Sequence, residues 1–223
     1  MRINKYLAQA TGISRRMADK AVAAGRVSVN GQLAEQGTAI AANDTVLLDG
    51  RAVTPLSTTT VMFHKPAGAV VSRDGQGAQT IYDILPAEYR LLKPIGRLDK
   101  NSSGLLLLTN DGDLANELTH PRYSKQKIYE IVLHKPLQPL HRQMINDHGL
   151  QLEDGLSKLQ LERLRDGDDT AWRVTMHEGR NRQIRRTFEA LGYAVTRLHR
   201  THFGPYVLEE LAPGQCRLIR SES

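Results

Sequence analysis

The sequence places a carboxylate where catalytic groups are often presented. Asp99 lies in a loop rich in small and polar residues, 96–104, which leads directly into the apolar run 105–108. A continuous apolar run of this length predicts a buried strand. A rigid strand beside such a loop is a good platform for a reacting side chain. The ordinary alternative is that Asp99 caps a turn through its side chain, which is the commoner role of a loop aspartate.

A second segment concentrates positive charge. Between residues 177 and 202 there are six arginines and two glutamates, and no lysine. Arg182, Arg185 and Arg186 are spaced i, i+3 and i+4, which predicts that they share one face of a helix. The guanidinium group is planar and always charged, so it suits a phosphate or a fixed carboxylate partner. Against the alternative of a solvated charged face, we favour contact with nucleic acid here.

The third informative segment is a short strand pattern with an aromatic residue. Residues 127–130 read Lys-Ile-Tyr-Glu. Tyr129 alone predicts a packing residue more strongly than a residue that stacks on a nucleobase, and the spacing does not decide between the two.

Composition limits the class of protein. The chain has 223 residues, a formal net charge of +6 and a single cysteine, Cys216. A basic protein favours polyanionic partners, first of all nucleic acid. One thiol allows no internal disulfide and no zinc site built on cysteine pairs. Because Asn4 and Lys5 interrupt the N-terminal apolar residues and no apolar run of about 18 residues follows, we expect a cytoplasmic protein without membrane contact.

The chain divides into two parts by its patterns. Residues 1–50 read as helix, helix and a small β-ribbon, 51–60 as a linker containing the polar stretch 54–60, and 61–220 as a larger domain. Strands and helices in the larger part follow no strict βαβ rhythm. We therefore predict an α+β fold with a mixed, largely antiparallel sheet.

Local signals in the first part are specific. Gly12 should end the first helix, and Ser14 should cap the second one. Asn30-Gly31 predicts a tight hairpin turn. The second helix should bury a stripe of apolar residues: Met17, Ala18, Ala21 and Val22.

Taken in order, these segments resemble the ribosomal pseudouridine synthases of the RsuA type. The likeness covers nearly the whole chain, and residues 1–48 resemble the α-L RNA-binding module that is shared with a small-subunit ribosomal protein. Each motif is weak alone, whereas the ordered set is specific. The motifs are Met62–Pro66, Gly96–Asp99, Ser103–Leu106, Lys127–Glu130, Glu178–Arg186, Val195–Arg200 and Phe203-Gly204.

The resemblance implies a role for several residues. Asp99 matches the essential aspartate of the family, and Arg185 resembles the basic partner of that carboxylate. Arg97 resembles the residue that helps to hold the target nucleotide out of its helix. Tyr129 resembles the aromatic that stacks on the flipped uracil, and Leu198 the apolar residue beneath that pocket.

The implied reaction converts uridine to pseudouridine. It makes no net redox change and transfers no group to a second substrate, so it needs no cofactor and no metal. An ionised Asp99 could attack the ribose, attack the uracil ring or remove a proton from the ribose. Burial alone favours a neutral carboxyl group, and a guanidinium within about 4–6 Å opposes this, so we expect Arg185 to face Asp99.

The implied partner is ribosomal RNA, either free or within an assembling ribosomal particle, and we expect a monomer. Four further arginines are predicted to bind RNA. Arg15 and Arg16 begin the second helix, where the helix N-terminus also favours phosphate. Arg182 and Arg186 belong to the arginine-rich segment.

A non-catalytic RNA-binding protein, such as a ribosome-assembly factor, is the main alternative. The joint presence of Asp99, Tyr129 and Arg185 argues against it.

An RNA methyltransferase and a metalloenzyme are weaker alternatives. The first needs a glycine-rich loop after a strand, and residues 74–77 fit a surface turn better. The second would have to build on His199 and His202, for which no carboxylate or cysteine completes a set.

Overall fold

The computed structural model describes residues 1–219, and Arg220, the predicted end of the larger domain, lies outside these residues. The chain forms two compact units. The first comprises Met1–Thr59 together with Leu91–Lys93, and the second comprises Thr60–Arg90 and the residues from Pro94 onwards. Within residues 1–219, no helix has the length and apolar character needed to cross a membrane.

The first unit begins with two helices, α1 (Ile3–Thr11) and α2 (Arg15–Ala23). Gly12 adopts a left-handed φ of 75° and ends α1, a conformation that glycine adopts without steric cost. The Ser14 side chain accepts a hydrogen bond from the Met17 amide and caps α2. Both predicted signals are confirmed.

The predicted apolar stripe of α2 is wrong at one position. Ala18, Ala21 and Val22 are buried, whereas Met17 is 53% exposed. Met17 lies in the first turn, one position before Ala18. The i, i+3, i+4 spacing that starts at Ala18 already fills the buried face, so Met17 lies outside it.

The strands of the first unit form a small antiparallel sheet in the order β2-β1-β3-β4. Asn30 and Gly31 both have positive φ, as the predicted hairpin turn requires. The strands are β1 (Val27–Val29), β2 (Gln32–Leu33), β3 (Val46–Leu48) and β4 (Arg51–Ala52).

The predicted linker, residues 51–60, includes strand residues at both ends. The turn at Asp49 and Gly50 folds β4 back onto β3, so Arg51 and Ala52 pair with it. Thr60 begins the first strand of the second unit. The stretch between them has no regular secondary structure.

The second unit consists of strands and short helices without a repeating order, as predicted. Its strands are β5 (Thr60–Lys65), β6 (Lys93–Ile95), β7 (Ser103–Thr109), β8 (Lys127–Leu133), β9 (Leu150–Leu152), β10 (Gly155–Ser157), β11 (Gln160–Arg163), β12 (Ala171–Met176), β13 (Val195–Phe203), β14 (Tyr206–Val207) and β15 (Cys216–Ile219). Its α-helices are α3 (Ile81–Ile84), α4 (Gly112–Thr119), α5 (Pro139–Gln143) and α6 (Gln183–Glu189).

Most of these strands belong to one large mixed sheet with the order β11-β12-β8-β13-β7-β5-β15. Neighbours along this order are antiparallel, except that β13 and β7 are parallel. The strands β9 and β10 form a separate antiparallel hairpin. The prediction of a mixed, largely antiparallel sheet in an α+β fold is confirmed.

The apolar run after the Asp99 loop forms the centre of this sheet. Leu105, Leu106, Leu107 and Leu108 are each 0% exposed. Burial on both faces explains why β7 reads as a continuous apolar run without alternation. The loop that carries Asp99 therefore ends on a strand that is packed on every side.

The arginine-rich segment forms a shorter helix than its spacing predicts. Arg182 precedes α6 as its N-cap residue and has a left-handed φ of 47°. It therefore does not share a helical face with Arg185 and Arg186, which corrects the prediction. Ile184 and Phe188 are buried, and they fix the helix on the sheet.

Residues 74–77 and the histidines His199 and His202, which were considered for the two weaker alternatives, make hydrogen bonds within the protein. Residues 74–77 form an exposed turn, in which the Gln76 amide donates to the Asp74 carboxylate at 3.0 Å. His199 Nδ1 lies 2.9 Å from Ser103 Oγ, and His202 Nδ1 lies 2.8 Å from Thr201 Oγ1.

Gly104 allows the close parallel approach of β7 and β13. Its φ is 109°, and a Cβ atom there would lie 2.2 Å from the Arg200 carbonyl oxygen and 2.6 Å from the Arg200 amide nitrogen. Both neighbours are backbone atoms, so they cannot rotate away. The two strands that contribute Leu198 and the Asp99 loop can meet only because residue 104 lacks a side chain.

We therefore expect Gly104→Ala to lower the free energy of unfolding by at least about 3 kcal/mol, through overpacking and backbone strain. Urea unfolding of the full chain measures this. Gly112→Ala is the matched control, since Gly112 has no heavy atom within 4 Å of the added Cβ. Equal stability of the two variants would contradict the close-approach argument.

Candidate active site

A cavity of about 1000 Å³ opens on the second unit. Its walls come from the Asp99 loop, β8, the segment that precedes α6, and β13. The predicted site residues that line it are Arg97, Asp99, Tyr129, Arg182, Arg185 and Leu198. The structure thus brings together residues that are up to 101 positions apart in the chain, from Arg97 to Leu198.

Asp99 faces two guanidinium groups. Its Oδ2 lies 3.9 Å from Arg185 Nε and 3.9 Å from Arg182 Nη1. The first contact has the geometry expected from the sequence. The second was not foreseen, because Arg182 was predicted only to bind RNA. The Asp99 side chain is 35% exposed, so it is accessible to a substrate in the cavity.

Arg185 is held rigidly on both sides. It donates to the Val195 carbonyl at 2.6 Å and to the Asn101 carbonyl at 3.1 Å. Its Nε is buried and has no hydrogen-bond partner, although this is the atom nearest to Asp99. Burial lowers the pKa of Arg185, as does the like charge of Arg182, while Asp99 raises it.

Lys65 supports the same loop from the interior. It is 0% exposed, and its ammonium donates to the carbonyls of Ser102 at 2.8 Å, Pro66 at 2.9 Å and Lys100 at 3.3 Å. Burial lowers the pKa of Lys65 to about 8, although Asp99 acts to raise it. The Lys-Pro pair at the end of β5 was noted in the sequence, but its role depends on long-range packing.

The opposite wall supplies an aromatic face. Tyr129 on β8 is 7% exposed and Leu198 on β13 is 6% exposed, and both line the cavity. Arg97 is exposed at the same cavity. The Tyr129 ring, the Leu198 side chain and the exposed Arg97 cation are suitable neighbours for a nucleotide that has left its base stack.

Lys127 and Arg200 also line the cavity, and the sequence analysis gave them no role. Lys127 lies two residues before Tyr129 on β8, and Arg200 is the cross-strand partner of Tyr129 on β13. Because side chains alternate along a strand, the first position could have been inferred from the sequence. The second depends on the register between β8 and β13.

Arg186 faces away from the cavity toward a carboxylate. Its Nη2 lies 2.6 Å from Asp154 Oδ2, in the turn between β9 and β10. Arg180 Nη1 lies 2.8 Å from the other oxygen of the same carboxylate, and its Nη2 donates to the Leu156 carbonyl at 3.0 Å. These bonds clamp the β9–β10 hairpin to the segment that positions Arg182. No sequence signal pointed to Asp154.

The two arginines predicted to bind RNA in the first unit lie at the start of α2. Arg15 and Arg16 are both exposed. Arg15 Nη2 lies 3.3 Å from the Asn4 side-chain oxygen. Two positive side chains therefore lie at a helix N-terminus, which is itself the positive end of the helix dipole. Both charges favour an anion there.

Within residues 1–219, no group of three or more histidine, cysteine, aspartate or glutamate side chains is placed to hold a metal ion.

The geometry defines a class of protein. A half-buried carboxylate that faces two guanidinium groups, in a cavity with an aromatic wall, fits an enzyme that acts on a nucleotide within RNA. Family models agree with this. Residues 59–190 match the RNA pseudouridylate synthase family, and residues 1–55 match the S4 domain.

The chain belongs to the RNA pseudouridylate synthase family and carries an S4 domain at its N-terminus. Its class of activity is the isomerisation of uridine in RNA to pseudouridine. The resemblance found in the sequence motifs is thereby confirmed.

Relatives and solved structures extend this result. A Bacillus subtilis (strain 168) protein named ribosomal large subunit pseudouridine synthase B is 36% identical, with 97% of this chain and 91% of the relative covered. A Xanthomonas campestris protein with the same name is 39% identical over 96% of this chain, which spans 46% of that relative's length. A crystal structure of a pseudouridylate synthase matches with a TM-score of 0.69 and 31% identity, covering 99% of this chain and 96% of that one.

The Asp154 clamp yields a prediction for activity. Asp154→Asn removes the charge that holds Arg180 and Arg186, so the segment carrying Arg182 and Arg185 should shift relative to Asp99. Because small displacements of catalytic groups are costly, we expect kcat for pseudouridine formation to fall about tenfold. Single-turnover kinetics on RNA measures this.

Glu153→Gln provides the control for that variant. Glu153 precedes Asp154 in the chain, and Glu153→Gln removes the same negative charge. Glu153 makes none of the clamp's hydrogen bonds. A similar loss of rate in both variants would point to general electrostatics and refute the clamp.

Proposed function

We propose that this protein isomerises one or more specific uridines in ribosomal RNA to pseudouridine, with Asp99 as the reacting group. The observation that carries the assignment of Asp99 is its position, 3.9 Å from the guanidinium groups of both Arg182 and Arg185, at a cavity large enough for a nucleotide. The names of the Bacillus and Xanthomonas relatives support ribosomal RNA as the substrate.

The chemistry begins at the Asp99 carboxylate. Pseudouridine formation breaks the bond between ribose C1′ and uracil N1, joins C1′ to uracil C5, and replaces the C5 proton by that new bond. All atoms except the exchanged protons stay within the substrate. Asp99 attacks C1′, attacks the uracil ring or removes a ribose proton, and each route requires the ionised form. Arg182 and Arg185 each place a positive charge 3.9 Å from this carboxylate.

The target uridine has to leave its helix before Asp99 can reach it. Unstacking costs a few kcal/mol. Tyr129 would offset part of this by stacking on the uracil ring, which is worth about 1–3 kcal/mol. Leu198 would pack against the base, and the exposed Arg97 would hold the vacated position in the RNA.

We further propose how the chain divides this work. Residues 1–50 would bind RNA, largely through Arg15 and Arg16. Residues 51–60 would connect this module to residues 61–220, which would hold the active site. Arg182, beside Asp99, would contact RNA near the target, whereas the Asp154 contact leaves Arg186 a secondary role. The protein would act as a monomer in the cytoplasm, on ribosomal RNA that is free or within an assembling particle.

Release of tritium tests the function directly. Ribosomal RNA transcribed with uridine tritiated at C5 loses its label to water when C5 bonds to ribose. We expect the wild-type protein to release label, and Asp99→Asn to lower the rate by about 10³-fold or more, because the shape is kept and the charge is removed.

RNA binding serves as the control for this experiment. Asp99→Asn should bind the same RNA at least as tightly as the wild type, since the substitution removes a charge that repels phosphate. Retained turnover in the variant would refute Asp99 as the reacting group. No release by the wild type from any ribosomal RNA would instead favour a non-catalytic RNA-binding protein.

A second prediction concerns the first unit. Arg15→Gln and Arg16→Gln together should weaken RNA binding. The magnitude of the slope of log affinity against log salt should fall by about 1–2, because fewer counterions are released when two phosphate contacts are lost. The rate at saturating RNA should stay unchanged. Filter binding at several salt concentrations measures the slope, and an unchanged slope would contradict the assignment.

A further inference from the structure

Arg200 is a buried cation without a carboxylate partner. It is 2% exposed, its Nε donates to the Leu105 carbonyl at 2.8 Å, and its Nη2 is buried without a hydrogen-bond partner. The guanidinium carbon also lies 4.9 Å from the Phe203 centroid and 6.0 Å from that of Tyr129. Within residues 1–219, no ion pair involves it.

Lys127 brings a second cation to the same ring. Its ammonium lies 5.4 Å from the Phe203 centroid, and it makes only long hydrogen bonds, to the carbonyls of Glu178 at 3.4 Å and Lys125 at 3.5 Å. Burial lowers the pKa of Lys127 and the charge of Arg200 lowers it further, whereas Glu178 raises it. Two like charges therefore meet at one place on the cavity wall.

Glu178 attracts Lys127 by its charge but forms its own ion pair elsewhere. Glu178 Oε1 lies 3.2 Å from Arg180 Nη2 and also accepts a hydrogen bond from the Gln183 amide. Glu178 therefore belongs to the Asp154 clamp. Burying unpaired charge is costly, and buried cations in folded proteins normally have an anionic or hydrogen-bonded partner. Among the described residues, neither Lys127 nor Arg200 forms an ion pair with a carboxylate.

We propose that Lys127 and Arg200 form a phosphate subsite, which binds a backbone phosphate flanking the uridine that reacts at Asp99. The inference rests on the proposed function, because it takes the occupant of the cavity to be an RNA nucleotide. Lys127 is half-buried and lines the cavity, so it makes the direct contact. Arg200, behind it, adds charge and an unused N–H donor.

The chemistry of the ligand favours phosphate. Any nucleotide held at Asp99 within an RNA strand brings a phosphate on each side, and each must be accommodated by the protein or by water. Lysine suits phosphate as a point charge, and arginine suits it as a fixed donor. The subsite would also help extrusion, since it binds the backbone only when the nucleotide has left its helix.

A double-mutant cycle between protein and RNA tests the subsite. The probe is a synthetic stem-loop containing the uridine mapped in ribosomal RNA, with each flanking phosphate replaced in turn by an uncharged methylphosphonate. The full-length protein carries Lys127→Met. We expect one methylphosphonate to weaken wild-type binding about tenfold, and to weaken binding of Lys127→Met by less than about twofold.

Lys135→Met is the matched control, because Lys135 is exposed, contacts the Tyr193 ring and lies outside the cavity lining. It should respond to the methylphosphonate as the wild type does. Lys127→Arg should keep the wild-type response, which a purely structural role of the side chain would not require. Inorganic phosphate should compete with the unmodified stem-loop for the wild type more than for Lys127→Met.

The outcomes separate the two proposals. If the wild type releases tritium from ribosomal RNA but Lys127→Met keeps the full methylphosphonate response, the subsite is refuted and the proposed function stands. If the wild type releases none, the proposed function fails. Arg200→Lys, with its stability checked by urea unfolding, should reduce the response partially, and an unchanged response would remove Arg200 from the subsite.

Discussion

The loop that presents Asp99 is held through its backbone by two cations. Lys65 binds the carbonyls of Lys100 and Ser102 from the interior, and Arg185 binds the carbonyl of Asn101 from the cavity side. A loop of this kind has no ladder of its own to satisfy its polar groups. The charged donors replace that ladder with strong hydrogen bonds. The position of the carboxylate thus depends on a buried ammonium and on a helix that lies far away in sequence.

The same arrangement concentrates positive charge around one carboxylate. Arg182, Arg185, Lys65, Lys127 and Arg200 all lie on or behind the walls of the cavity. Burial lowers the pKa values of Lys65, Lys127 and Arg185, and a neighbouring like charge lowers those of Lys127 and Arg185 further, so these charges are unfavourable in the free protein. They become favourable when a polyanion enters, because each phosphate supplies the missing charge. The cavity therefore favours a ligand that carries more negative charge than Asp99 alone supplies.

The sequence predicted the first unit well because its signals are local. Gly12, Ser14 and the Asn30-Gly31 pair each determine a turn or cap through their own backbone preferences or nearest neighbours. Met17 was misassigned because helical spacing alone does not show where a buried face stops. Strand residues at the ends of the predicted linker gave no signal in the sequence, because a short strand such as β4 carries no periodic pattern.

The sequence motifs predicted some of the residues of the site but not the contacts that depend on long-range packing. Asp99 and Arg185 were paired on chemical grounds, and their geometry agrees. The left-handed conformation of Arg182 has no signature in an arginine-rich segment. Asp154 and Arg200 acquire their neighbours only through the hairpin packing and the strand register, which a single sequence does not encode locally.

The pairing of β15 with β5 has a consequence for how the protein is made. Cys216–Ile219 joins Thr60–Lys65 in the large sheet, across about 150 residues of intervening chain. At about 5–20 residues per second, a ribosome needs about 8–30 seconds to synthesise that interval. During this time one edge of β5 has no strand to pair with, which leaves the nascent chain open to unwanted association. All residues of the first unit, up to Lys93, are synthesised before β15, so this unit can fold before the large sheet receives its last strand.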